Sequence, residues 1–286
     1  MYSTLISSEN LNSIIDDKNL IIFDCRFDLM DKNLGHSNYL KSHIKNANYI
    51  NLESDLSSAV TDNSGRHPLK DLSSFSNMLN YYGINNKSQI IVYDDENSSM
   101  CARFWWMLKL VGIEKCAVLD GGYKSWVSSK FSTDNSIPKN HKKENITYSY
   151  KEEYLISTFE LKNKLKDSSL YLLDARDKQR FLGNIEPIDK KAGHIPGAIN
   201  MPFKENLEKD GKFKKKLDLI KLFENIDKDK SRDIINMCGS GVTACHNFLA
   251  MEYCGLRRSR IYVGSWSAWS SYNANDNDND IEKEQE

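Results

Sequence analysis

IINMCGSGVTACHNFLAMEYCGL, residues 234–256, lies on IIVYDDENSSMCARFWWMLKLVGI, residues 90–113, at a spacing of 143. Each stretch begins as a short apolar run, breaks at a polar turn and resumes as a longer apolar segment. Further out, YLLDAR (171–176) echoes LIIFDCR (20–26), setting Asp174 150 positions after Asp24. AGHIPGAINMPF (192–203) echoes KSHIKNANYINL (41–52), with His194 151 positions after His43. IYVGSWSAW (261–269) echoes AVLDGGYKSW (117–126), with Trp269 143 positions after Trp126. Four blocks in one order at nearly constant separation indicate a tandem duplication of a domain of about 120–150 residues, not a short-period solenoid.

Within each copy the runs Leu20–Phe23, Ile90–Tyr93, Leu170–Leu173 and Ile234–Asn236 read as strands. Val242, Cys245, Leu249 and Glu252/Tyr253 recur at the spacing of one helix face. Apolar strands alternating with helices predict an α/β fold of two tandem domains, each a mainly parallel sheet flanked by helices. The first domain is expected over 5–130 and the second over 154–272. Between them, 131–153 is polar, Pro-containing and without apolar period, and reads as a linker. The acidic, low-complexity stretch 273–286 reads as a tail without stable structure.

The 286 residues carry 39 Lys+Arg against 40 Asp+Glu, for a net charge of −1. That balance argues against a nucleic-acid binder or a polybasic membrane-surface protein. No apolar run approaches the roughly 18 residues that span a bilayer. The first 18 residues, containing Glu9, Asp16 and Asp17, lack the basic start and apolar core of a signal peptide. The expected setting is the cytoplasm, with a mitochondrial one left open. The six cysteines (Cys25, Cys101, Cys116, Cys238, Cys245, Cys254) include no CxxC pair. Neither a zinc site nor a disulfide scaffold is expected, and most should be small buried hydrophobes.

One cysteine stands apart. Cys238 closes a strand and is followed by Gly239, Ser240 and Gly241 before a helix that starts near Val242. Glycines let successive N–H groups curl inward as an anion-binding nest, and the helix adds its partial positive end. A thiol there is expected to ionise readily and act as a nucleophile. Backbone N–H groups over 239–243, including those of Val242 and Thr243, would bind the anionic donor.

With these motifs in hand, the chain resembles the tandem-domain rhodaneses, the thiosulfate and 3-mercaptopyruvate sulfurtransferases. CGSGVTA after a strand, RFLGNIEPID, AGHIPGAIN and GSWSAW carry the resemblance, over roughly residues 5 to 271. It implies that Cys238 attacks a sulfane sulfur and holds it as a persulfide, with no metal or organic cofactor. The first copy should be inactive, because the spacing of 143 sets Asp95 opposite Cys238. Arg180 matches the arginine that contacts the donor's anionic end, a task suited to a bidentate guanidinium. Arg176 and His194 are expected to be scaffold, the histidine because it recurs as His43.

Relatives with a basic residue two positions after the cysteine tend to use thiosulfate, and those with Gly-Ser-Gly tend to use 3-mercaptopyruvate. Ser240 favours the latter. The mercaptopyruvate enzymes pair that serine with a histidine and an acid from the first domain, which would be His67 and Glu53, with Arg66 lining the cleft between domains. A second arginine common before GHIPG is missing here; Asp189, Lys190 and Lys191 stand in that interval, and Lys190 could supply the charge. The reading is therefore a sulfurtransferase acting from 3-mercaptopyruvate, with thiosulfate the alternative donor. Acceptors would be a thiol such as thioredoxin or glutathione, or cyanide. A cysteine phosphatase would need Arg where Ala244 stands. A non-catalytic binding module would have lost Cys238, and a tRNA-thiolation relay would carry a basic surface.

Overall fold

The computed structural model describes residues 1–138, 143–144, 147–167, 169–256, 259–271 and 280–283. The chain divides into two compact units. The first comprises Met1–Ser58, Lys70–Lys151 and Leu207–Phe213. The second comprises Ala59–Leu69, Glu152–Asn206 and Lys214–Glu286. The duplication expected from the sequence is present, but the units do not follow its boundaries. The loop 59–69, expected in the first domain, belongs to the second unit, and the hairpin 207–213 belongs to the first.

In the first unit β1 (Leu5–Ile6), α1 (Ser8–Ser13), β2 (Leu20–Asp24), α2 (Leu34–Lys41), β3 (His43–Ile44) and β4 (Ala47–Tyr49) come first. Then follow α3 (Leu72–Tyr81), β5 (Gln89–Tyr93), α4 (Cys101–Leu110), β6 (Cys116–Leu119), α5 (Gly122–Ser128) and β7 (Thr133–Asp134). The sheet order is β1-β6-β5-β2-β4, every pairing parallel. Strands such as QIIVY are apolar on both faces because helices cover both; Ile90, Ile91 and Val92 are fully buried. β7 lies inside the expected linker yet pairs antiparallel with β3. Ser149 and Lys151 likewise donate their N–H groups to Val111 and Leu110 at the end of α4. Residues 139–142 and 145–146 of that expected linker lie outside the described residues.

The second unit holds α6 (Thr158–Lys166), β8 (Leu170–Asp174), α7 (Lys178–Leu182), β9 (Ile199–Asn200), α8 (Lys216–Leu222) and α9 (Glu224–Lys228). β10 (Asp233–Met237), α10 (Ala244–Cys254), β11 (Arg260–Ile261) and α11 (Ser265–Ser271) complete it. Its sheet, β11-β10-β8-β9, is again all parallel. Much of the tail expected to lack structure lies outside the described residues. Within 280–283, however, Glu282 exchanges backbone hydrogen bonds with His194 at 2.9 and 3.0 Å, and Ile281 packs on the core. No helix among the described residues is long and apolar enough to cross a membrane.

The repeated Asp-x-Arg has the same geometry twice. Arg176 donates to Asp174 through its N–H, Nε and Nη2, the last at 2.7 Å, and Nη2 also donates to the Gly193 carbonyl at 2.8 Å. Its guanidinium lies 4.7 Å from the Trp266 ring centre. In the first unit Arg26 holds Asp24 and the Ser42 carbonyl, over the Tyr123 ring at 4.3 Å. His194 and His43 are buried, each with Nδ1 on a backbone carbonyl, of Phe181 and Tyr39 respectively.

Register corrects one correspondence drawn from spacing. Asp24 pairs with Tyr93 as Asp174 pairs with Met237, so the residue after the strand, Cys238, corresponds to Asp94 rather than Asp95. The first-unit loop is one residue longer, which the spacing of 143, measured through the helices, conceals. Asp94 is buried and accepts N–H groups from Ser98 (2.9 Å), Met100 (2.8 Å) and Cys101 (3.3 Å). Burial nevertheless pushes its carboxyl up to about 6, against those three donors. Unfolded, the group titrates at about 3.9, so the native state binds more protons between these values and stability falls as pH rises through about 6. The urea midpoint of the wild type should therefore drop from pH 4 to 6.5 by an amount worth about 2–3 kcal/mol that Asp94→Asn lacks. Parallel profiles would contradict this.

Candidate active site

β10 ends at Met237 and presents Cys238 at the carboxyl edge of the sheet, buried at 2% exposure. Its N–H donates to Ser265 Oγ at 3.1 Å, and that hydroxyl donates to the Tyr262 carbonyl at 2.8 Å. The N–H groups of Trp266 and Ser267 donate to the carbonyls of Cys238 (2.9 Å) and Gly239 (2.8 Å). The loop's carbonyls are thus engaged. Its amides are not: among the described residues, the N–H groups of Gly239, Ser240, Val242 and Thr243 make no hydrogen bond within the chain. Such a run of free donors ahead of a helix, here α10 with Thr243 as its cap, is an anion nest.

Gly241 makes this turn possible. Its φ is +75°, and a Cβ there would stand 2.5 Å from the Val263 carbonyl oxygen. Gly239 is open for a different reason, since a Cβ would meet Arg66 Nη2 at 2.9 Å and Arg180 Nη1 and Nη2 at 3.6 Å. Two guanidiniums therefore converge beside the cysteine.

Each is held by carboxylates. Arg180 lies in α7 and donates to Glu186 Oε1 at 2.7 Å and to Asp189 Oδ2 at 3.2 Å. Arg66 grips Asp189 with both teeth of its fork, Nε to Oδ1 at 2.9 Å and Nη2 to Oδ2 at 3.0 Å. Asp189 thus bridges the two arginines. Glu186 also lies 3.5 Å from Arg176 Nη1 and accepts the N–H groups of Ile188 and Asp189. Its burial raises the carboxyl, but hydrogen bonds from Arg180 and these amides prevail and hold it below the usual range. The Arg66 N–H donates to Ser267 Oγ at 3.1 Å, which ties the loop 59–69 to α11.

Ser240 and His67 are brought together: Oγ and Nδ1 are 2.7 Å apart, both residues buried. The histidine expected from the first domain is supplied by a loop of the second unit. Glu53 belongs to the first unit, where it pairs with Lys32 at 2.8 Å. Lys190 is exposed, on the wall of a cavity of about 480 Å³ that is also lined by Arg66, Asp189, Asn63 and Ser267. That cavity adjoins Arg66; neither Arg180 nor the Cys238 loop is among its walls. Arg66 brings a second guanidinium beside Gly239, whereas the interval before GHIPG carries no arginine. Sequence reasoning missed Glu186 as the partner of Arg180, Asp189 as the bridge and Ser265 behind the Cys238 amide. Among the described residues all six cysteines are buried and unpaired in disulfides.

A strand-end cysteine, loop amides without acceptors and two overhanging arginines define a class, an α/β protein with a thiol set beside an anion-binding loop. The sequence model of the rhodanese-like domain matches residues 7–129 and 157–272, and the chain belongs to the rhodanese family of sulfurtransferases. It is 36% identical over 268 residues, 93% of this chain and 94% of the other, to a Pseudomonas aeruginosa protein named "Probable 3-mercaptopyruvate sulfurtransferase". It is also 31% identical to the thiosulfate sulfurtransferase of Gallus gallus, over 81% of this chain and 79% of that one. Among solved structures, the Escherichia coli 3-mercaptopyruvate sulfotransferase SseA superposes with a TM-score of 0.81 at 27% identity, over 93% of this chain and 100% of that one. The expected fold class, two rhodanese-like domains with mainly parallel sheets, holds.

Gly241→Ala should cost about 1–3 kcal/mol of stability through left-handed strain and the clash with Val263. It should lower turnover more than Gly255→Ala, a change at another positive-φ glycine with open space around it. Thermal melts and sulfur-transfer assays on the two variants check both points; equal turnover would contradict the assigned role.

Proposed function

We propose that the protein transfers sulfur from 3-mercaptopyruvate through a persulfide on Cys238. The observation that carries this reading is the Ser240–His67 pair at 2.7 Å, two residues from the cysteine. A cation at that position would favour a dianionic donor. A hydroxyl backed by an imidazole instead suits a keto oxygen that becomes an enolate. Charge supports the same choice, since Arg66 and Arg180 are matched by Glu186 and Asp189.

In the first half-reaction the Cys238 thiolate attacks the donor's sulfur. An S–S bond forms, the C3–S bond breaks, and its electron pair passes into the enolate of pyruvate, leaving the thiol proton on the outer sulfur of the persulfide. With the His67 Nδ1 proton donated to Ser240 Oγ, the serine O–H is available to the enolate oxygen. A proton from solvent then reaches C3 and pyruvate leaves. Arg180 and Arg66 hold the donor carboxylate, and the nest of amides over 239–243 faces the anionic sulfur. In the second half-reaction an acceptor thiolate, such as that of thioredoxin or glutathione, or cyanide takes the outer sulfur and restores the Cys238 thiolate. The cycle is ping-pong.

Thiosulfate as donor is the second reading, favoured by the two guanidiniums beside Gly239. Assays of both donors decide between them. One follows pyruvate and sulfide from 3-mercaptopyruvate with a thiol; the other follows thiocyanate from thiosulfate with cyanide. The first kcat/KM is expected to be at least about tenfold the second, a difference of about 1.4 kcal/mol. Cys238→Ser should abolish both, and a variant that keeps turnover overturns the mechanism. Arg180→Ala should raise KM for both donors by about 10–100-fold, the scale of a charge-assisted pair. Ser240→Ala and His67→Gln should lower kcat with 3-mercaptopyruvate by about 10²-fold or more while sparing thiosulfate. Equal losses on both donors would remove Ser240 and His67 from enolate chemistry.

A further inference from the structure

The arginines beside Cys238 are already occupied. Asp189 fills the fork of Arg66 at 2.9 and 3.0 Å and reaches Arg180 at 3.2 Å, with its side chain only 4% exposed. Glu186, equally buried, holds Arg180 from the other side. Two positive and two negative charges therefore stand together beside Gly239, and Arg176 is separately matched by Asp174. A donor anion entering this cluster meets two hydrogen-bonding forks but no net positive charge. It must also take the place of the Asp189 carboxylate on at least one fork.

We propose that Asp189 sets the charge preference of the site: it is a built-in carboxylate that selects a monoanionic donor over a dianionic one. The inference rests on the reading of Cys238 as the sulfur carrier, and adds to it the residue that chooses the donor. A monoanionic carboxylate exchanges one for one with Asp189 on the Arg66 fork, leaving the local charge unchanged once the aspartate turns toward the adjoining cavity, whose wall it shares. A dianion such as thiosulfate brings a second charge that nothing in the cluster neutralises, and in a largely buried setting an unmatched charge is strongly disfavoured. Asp189 touches neither the reacting sulfur nor the carbon it leaves, so it acts through the two arginines.

Asp189→Asn is nearly isosteric, removes one negative charge and weakens the competition for Arg66. It should raise the ratio of kcat/KM for thiosulfate to that for 3-mercaptopyruvate by about tenfold, chiefly through a lower KM for thiosulfate. A merely structural role would lower both donors together and leave the ratio where it was. A rise smaller than about threefold, or a fall, overturns the proposal. Glu186→Gln removes a charge from the same cluster and should move the ratio in the same direction, which keeps the idea testable if the asparagine variant does not fold.

The ordering can also be read without turnover. In a Cys238→Ser background, Asp189→Asn should tighten binding of inorganic sulfate, a dianion, more than binding of pyruvate, a monoanion. Equal changes in the two dissociation constants overturn the proposal even if neither donor is turned over. Failure of the Cys238 mechanism would show separately, as turnover surviving in Cys238→Ser. An unmoved ratio in an active Asp189→Asn enzyme would remove only the role given to Asp189.

Discussion

The fold of each half hangs on a buried aspartate–arginine pair two residues apart. Asp174 ends its strand with its carboxylate inside the protein, an arrangement that would be prohibitive unless the charge were matched and hydrogen-bonded. Arg176 matches it, and its remaining contacts do further work in the fold. One Nη reaches the carbonyl just before His194, and the face of the guanidinium rests on Trp266. Trp266 in turn donates its N–H to the Cys238 carbonyl. A single side chain therefore links the end of β8, the crossing before His194, and the helix that backs the cysteine loop. Removing either partner would leave an uncompensated buried charge, a loss of about 3–5 kcal/mol.

The same framework carries a different loop in the other half, and the contrast explains what the loop is for. Arg26 repeats the contacts of Arg176 with the strand-end aspartate, the carbonyl before the histidine and the ring beneath it. Tyr123 donates to the Asp94 carbonyl as Trp266 donates to that of Cys238. At the nest itself the halves diverge. Asp94 turns its own carboxylate into the loop and takes up three of its amides. Around Cys238, among the described residues, the N–H groups of Gly239, Ser240, Val242 and Thr243 have no acceptor within the chain. A fold that twice builds a site for negative charge has filled one copy with an internal carboxylate and set a cysteine at the same position of the other.

How much of this could be read from the chain depends on how local the information is. The strands, the helix α10, Cys238 and the glycine turn are written in adjacent residues, and the duplication repeats the message. Ser240 and His67 were paired through the resemblance, and the 2.7 Å contact places them together. The charge cluster was not legible. Arg66 and Asp189 stand 123 positions apart, and no periodicity links a loop residue to its partner in another loop. Nor could composition assign residues 59–69 to the second unit. The offset of 143 misplaced Asp94 by one because spacing measured through a helix cannot see an insertion in the loop before it. The acidic residues near the chain's end looked too polar to fold. Yet Glu282 needs only its backbone to pair with His194, and a backbone has no sequence signature.

The carboxylates beside Cys238 show why an anion site need not be a cationic one. Two bare guanidiniums next to each other would repel and would each require water. Held by Glu186 and Asp189, they are fixed in place before the donor arrives, so little ordering remains to be done on binding. The cost is that the hydrogen bonds these guanidinium forks offer the donor are first taken from internal acceptors. Affinity is thereby lowered while geometry and charge selectivity are kept. For the covalent carrier proposed above this is a favourable exchange. In that mechanism the donor's carboxylate leaves with pyruvate before an acceptor reaches the persulfide, and an internal carboxylate ready to retake the Arg66 fork helps expel it.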